Sequence, residues 1–154
     1  MAHKPIKRHV SLQPVSREHH FGLLLCWKIR TGFNLGVNPK RIKKYCDWFY
    51  ETHLVPHFEF EEQNIFPILS EDAQMINKAL LEHRELHQLF NTTENLTDTL
   101  ATLEEKLEQH IRFEERVLFN KIQEIASPNQ LTAVEAAHNT EMFEENRSDE
   151  FWKK

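Results

Sequence analysis

Apolar seams that step by four and three residues constrain this chain most. Leu96, Leu100, Leu103 and Leu107 form one seam. That stepping puts side chains on one face of an α-helix. Leu12, Val15, Gly22, Cys26, Ile29 and Phe33 keep the same rhythm around His19, and Ile76 and Leu80 lead to His83, His87 and Phe90. Ile42, Cys46 and Phe49 open a less regular seam. No segment alternates with a period of two. The chain has only 3 glycines, a residue that disfavours a helix interior by about 1 kcal/mol. Long amphipathic helices with short connections predict an all-α fold: an up-down-up-down antiparallel four-helix bundle with a short extra C-terminal helix.

Breakers and caps divide the chain. The first helix is expected from about Ser16 to Thr31, before the loop TGFNLGVN. The second opens at Asn38, a good N-cap, with Pro39 at the first helical position, and continues to about Asn64. Pro56 removes a backbone donor inside it and predicts a kink. Ser70 is expected to cap the third helix, with Glu71 and Asp72 favouring its positive end, and that helix runs to about Phe90. The fourth follows NTTEN and reaches Ala126, and SPNQ restarts a fifth, about Gln130 to Glu145. The end ENRSDEFWKK is expected to be frayed or held only through Phe151 and Trp152. The 154 residues suit a single domain: a bundle over about 12–126, an N-terminal arm over 1–11 and a helix and tail over 127–154.

Composition excludes several classes of function. Net charge is −5, and the only basic runs are the short KPIKR and KRIKK, which disfavours a nucleic-acid partner. No run approaches the ~18 apolar residues that span a bilayer. The N-terminal stretch has charge without an apolar core, so no secretory signal is read. Two cysteines, Cys26 and Cys46, form no CxxC pair, which points to free thiols in a reducing cytoplasm.

The seams are interrupted by polar residues. The fourth continues from Leu107 to His110, Glu114 and Val117. The third carries His83 and His87, the first His19, and the second His53, His57 and Glu61 at successive four-residue spacings. A buried carboxylate is costly unless it is paired or coordinates a metal. Pairs four residues apart share a helix face, and pairs from facing helices converge on the bundle axis. Imidazole mixed with carboxylate suits iron, zinc or manganese.

There is also an internal echo. HFEFEEQNIFP (57–67) matches HIRFEERVLFN (110–120), both reading H-x-x-F-E-E-x-x-[IL]-F, and HRELH (83–87) lies between them. Over residues 12–126 the chain resembles the hemerythrin-like HHE family. That family places a histidine on the first helix, H-x-x-x-E on the second, H-x-x-x-H on the third, and H-x-x-x-E or H-x-x-x-x-D on the fourth. The resemblance implies metal ligands at His19, His57, Glu61, His83, His87, His110 and Glu114. It implies two iron ions bridged by the two carboxylates, with zinc or manganese as substitutes. The first-helix ligand lies between His19, on the Leu12–Val15–Cys26 seam, and His20, on a Leu24–Trp27 line. The fourth-helix carboxylate lies between Glu114, on the seam, and Glu115.

Other candidates read as structural. His53 is expected beside the site or at the surface, and His3 and His9 in a solvated arm. Glu59, Glu62 and Glu115 are solvated or accept from ligating histidines. Cys26 is packing. His138 belongs to the one E-x-x-H in the chain, whereas ferritin-like di-iron bundles need two. A centre of this kind implies a binding protein for dioxygen or nitric oxide, acting as carrier, scavenger or sensor. The alternatives are a nitric oxide reductase or peroxidase-like enzyme, or an iron-handling or iron-centre repair protein. No flavin or nucleotide motif delivers electrons, which favours binding over turnover.

Overall fold

The computed structural model describes residues 7–138 and 142–154. Helix α1 is Gln13–Asn34, begun by a tight turn over Val10–Leu12. Helix α2 runs without a break over 39–65, α3 is Ala73–Asn91, α4 runs over 96–125 and α5 is Pro128–Ala137. Among the described residues no strand forms, and α1 to α4 build the antiparallel four-helix bundle. No described helix is long and apolar enough to cross a membrane.

Local chemistry sets most of the ends. Asn38 caps α2 by accepting from the Lys40 amide at 3.0 Å, ahead of Pro39. The cap of α3 is Asp72 rather than Ser70; its carboxylate accepts from the Met75 amide at 3.1 Å. Ser127 and Gln130 cap each other's backbone at the start of α5, a reciprocal arrangement that satisfies two free amides. That helix ends at Ala137, well short of Glu145. Residues 139–141 of the expected segment, and His3 of the N-terminal arm, lie outside the described residues.

Pro56 does not break α2. Immediately before it, the Val55 amide donates to the Tyr50 carbonyl, five residues back, closing a wide π turn over Tyr50–Leu54. The wider turn accommodates the proline, so the helix continues.

Two more π turns lie over Glu61–Ile65 and Glu114–Leu118, at matching places in the two echoed motifs. Each inserts a residue into the helical count and moves the buried face by one position. The seam therefore passes from Glu114 to Leu118, which is buried, and leaves the expected Val117 45% exposed. In α3 the buried line is Ala79, His83, Leu86 and Phe90, with Ile76, Leu80 and His87 only partly covered. His87 follows Leu86 by one helical step of about 100°, which carries it to the edge of that line.

The core has two apolar halves. One is built around Ile29, Phe49, Phe58, Phe90, Leu103 and Phe151. The other is built around Leu12, Val15, Phe66, Leu118, Phe119 and Ile122. The C-terminal segment is not frayed: Phe151 is 1% exposed and rests on Gly32, where an added Cβ would meet its ring at 2.8 Å. Lys28 and Tyr45, both buried, hold Glu145 of that segment.

Candidate metal centre

Six buried polar side chains lie together in the core: His19, His57, Glu61, His83, His110 and Glu114. Each of the four bundle helices contributes at least one. They form two groups of ligand-type atoms, each with all atoms within 4.8 Å of one another. His19, His57, Glu61 and Glu114 make the first group, and His83, His110, Glu61 and Glu114 the second. Both carboxylates belong to both groups.

The inward atoms are crowded. His19 Nε2 lies 2.9 Å from Glu114 Oε1 and 3.5 Å from Glu61 Oε2. His57 Nε2 and His83 Nε2 lie 3.2 and 3.3 Å from Glu61 Oε1, and His110 Nε2 lies 3.2 Å from Glu114 Oε1. Nε2 of His57, His83 and His110, both oxygens of Glu61, and Oε2 of Glu114 are buried without an aligned hydrogen-bond partner. Leaving such groups unsatisfied costs about 1–3 kcal/mol each, more where they are charged. Cations among them would satisfy these atoms, so the donor set fits bound metal.

The outward nitrogens are arranged in a ring. Glu18 on α1 accepts from His57 Nδ1 on α2 at 2.9 Å. Glu62 on α2 accepts from His83 on α3 at 2.8 Å, and Glu82 on α3 accepts from His110 on α4 at 2.7 Å. Glu115 on α4 accepts from His19 on α1 at 2.7 Å and closes the circuit. Each helix thus carries a centre residue and, beside it in sequence, the carboxylate that orients a histidine of the next helix. A carboxylate on Nδ1 fixes the proton there and turns the Nε2 lone pair inward, the form a metal needs. Glu62 and Glu115 are among the expected acceptors, whereas Glu59 is exposed. Glu18 and Glu82 were missed; their one signal is that each directly precedes a histidine of the centre.

Aromatic packing holds the rings. His83 stacks on Phe58 with centroids 3.9 Å apart, and His19 on Phe119 at 5.2 Å. Electrostatics oppose burial. Burial alone pushes His57 and His110 down, yet Glu61 and Glu18 raise His57 to about 9, and Glu114 and Glu82 raise His110 to about 9. Burial likewise opposes His19 and His83, and their carboxylate contacts hold both above 6.5. Glu61, against the effect of its own burial, is held well below the carboxylate range by His57, His19 and His83.

The remaining candidates lie apart. His87 is in neither group; its Nδ1 meets the Tyr50 hydroxyl, and burial followed by repulsion from His83 lowers its pKa. His20 is exposed, and Glu115 occupies the ring rather than either group. His53 is half-buried beside Phe49 and Phe143. His9 accepts from the Ser11 amide at 3.0 Å and caps the first turn, a structural task for a residue expected to be merely solvated.

A helical bundle with a buried histidine–carboxylate layer defines a class of cation-binding domains. The family model of the hemerythrin HHE cation binding domain matches residues 3–122, and the chain belongs to that family. No curated protein and no solved structure matches it.

Proposed function

We propose that this chain holds two metal ions, iron in its native state, and binds dioxygen or nitric oxide reversibly as a carrier, scavenger or sensor. The observation that carries the reading is the pair of four-donor groups sharing Glu61 and Glu114. His19 and His57 would hold one ion, His83 and His110 the other, and the two carboxylates would bridge them. Zinc and manganese are compatible with the same donors. When bound, the metal pair supplies open positions for a small ligand, and as iron it supplies the redox chemistry that distinguishes the two gases.

The chain's own residues prepare that chemistry. Glu18, Glu62, Glu82 and Glu115 fix the tautomers. Phe58 and Phe119 fix ring orientation and keep water from the donors. His87, with its Nδ1 on Tyr50, lies outside both donor groups, so two histidines would hold each ion. The free, buried Cys26 and Cys46 suit a reducing compartment such as the cytoplasm.

Metal analysis of protein from iron-supplied cells, followed by rapid mixing of the reduced form with each gas, tests this reading. A stable, reversible optical adduct at two irons per chain is expected. Absence of bound iron would overturn the metal assignment. Consumption of many equivalents of nitric oxide or peroxide with an added reductant would move the protein to the enzymes.

A further inference from the structure

A second site lies beside the metal layer. A pocket of about 300 Å³ opens between α1, the middle of α2, His138 at the end of α5, and Met142 and Phe143. Phe21 and Phe143 stack at 4.2 Å, His53 packs on Phe143 at 4.5 Å, and Phe49 lies 5.6 Å from His53, so one wall is continuously aromatic. The volume is at the lower end for organic-ligand pockets, which suits a molecule of one ring.

Two polar atoms in this lining lack partners among the described residues. His138, whose side chain is 10% exposed, has a buried Nδ1 with none, and so has Nε2 of His53. The other nitrogen of His138, Nε2, faces Glu18 Oε1 at 3.4 Å. With Nε2 turned toward that carboxylate as the donor side of the ring, Nδ1 is the atom left to accept. Glu18 already serves two histidines, and Arg17 and Glu135 at the pocket carry opposite charges, so the lining selects no net charge.

We propose that this pocket binds a small neutral aromatic molecule bearing a hydroxyl group, a phenol in its simplest form, with the ring on the aromatic wall and the hydroxyl donating to His138 Nδ1. The site does not rest on the metal reading, because neither His138 nor the aromatic wall belongs to the donor groups.

Fluorine NMR titration of the full, metal-loaded chain with 4-fluorophenol and fluorobenzene tests it. 4-Fluorophenol binds saturably and about tenfold more tightly than fluorobenzene, the scale of one hydrogen bond. His138→Leu abolishes that preference and leaves fluorobenzene unchanged, while His138→Asn retains part of it. Met142→Trp, at an exposed position on the rim, weakens both probes and leaves the metal content and the melting temperature unaltered. Equal affinity for the two probes overturns the proposal. So does absence of saturable binding to the wild-type chain, the result if water alone satisfies the two nitrogens.

Discussion

The two halves of the candidate centre have the same donors and different surroundings. His19 and His57 are backed by Glu115 and Glu18, which also engage Arg8, Ser16 and His138, and His57 borders the aromatic pocket. His83 and His110 are backed by Glu62 and Glu82; Glu82 is paired with Lys78, and His110 borders a charged cleft that includes Lys106. His83 lies between Phe58 and Phe66. Duplicated donors give both halves the same means of holding a cation, while the unequal surroundings separate what can approach each one.

Removing a shared donor breaks both halves together and has the largest effect. Glu61→Ala is expected to lose both ions and to destabilise the metal-free protein by ~3–5 kcal/mol, since it leaves imidazolium groups buried without their counter-charge. Metal analysis and thermal melting check this, and retention of one tightly held ion would contradict the shared role.

Single-half variants come next. His57→Ala and His110→Ala should each retain close to one ion per chain. Loss of both ions from either variant would show that the halves load as a unit. Glu18→Gln and Glu82→Gln keep every donor and loosen one histidine, so metal affinity should fall about 10–100-fold in each. Only Glu18→Gln should also alter phenol binding; an equal effect of the two on the pocket would erase the distinction between the halves.

The pH response is shared, because His57 and His110 belong to different halves and are both raised to about 9. A raised histidine pKa contributes stability that is complete below the unfolded value near 6.5 and is lost as pH rises through about 9. The melting temperature of metal-free protein should therefore decline over that window, and a flat profile would refute the charge balance described. Metal loading should weaken on acidification, since it requires the imidazoles to release their protons. The smallest effect belongs to His87→Ala, which should leave both ions in place; loss of one would return His87 to the ligand set.

Much of this organisation was legible in the sequence. Seam spacing and breakers located four helices, and the echoed motifs marked a polar layer inside them. The misses have definite causes. Val117 was placed on the buried face because a constant helical count cannot register a π turn, and Leu118 takes its place. His87, a four-residue step from His83, lies outside both donor groups, because the buried line of that helix runs through Leu86. The Glu18–His57 and Glu82–His110 contacts join residues 39 and 28 positions apart, which no local pattern encodes. Phe151 was legible as an anchor of the tail, but its seat was not, because that seat is an absence, the missing side chain of Gly32.

The carboxylate–histidine ring has a consequence for how the protein is made. Its links from α1 to α4 join neighbours in chain order, but the closing link, Glu115 to His19, spans 96 residues. A nascent chain that has produced three helices lacks His110 and Glu114 as well as the orienting partner of His19. The ring of carboxylate–histidine contacts is therefore complete only once all four helices of the bundle are in place.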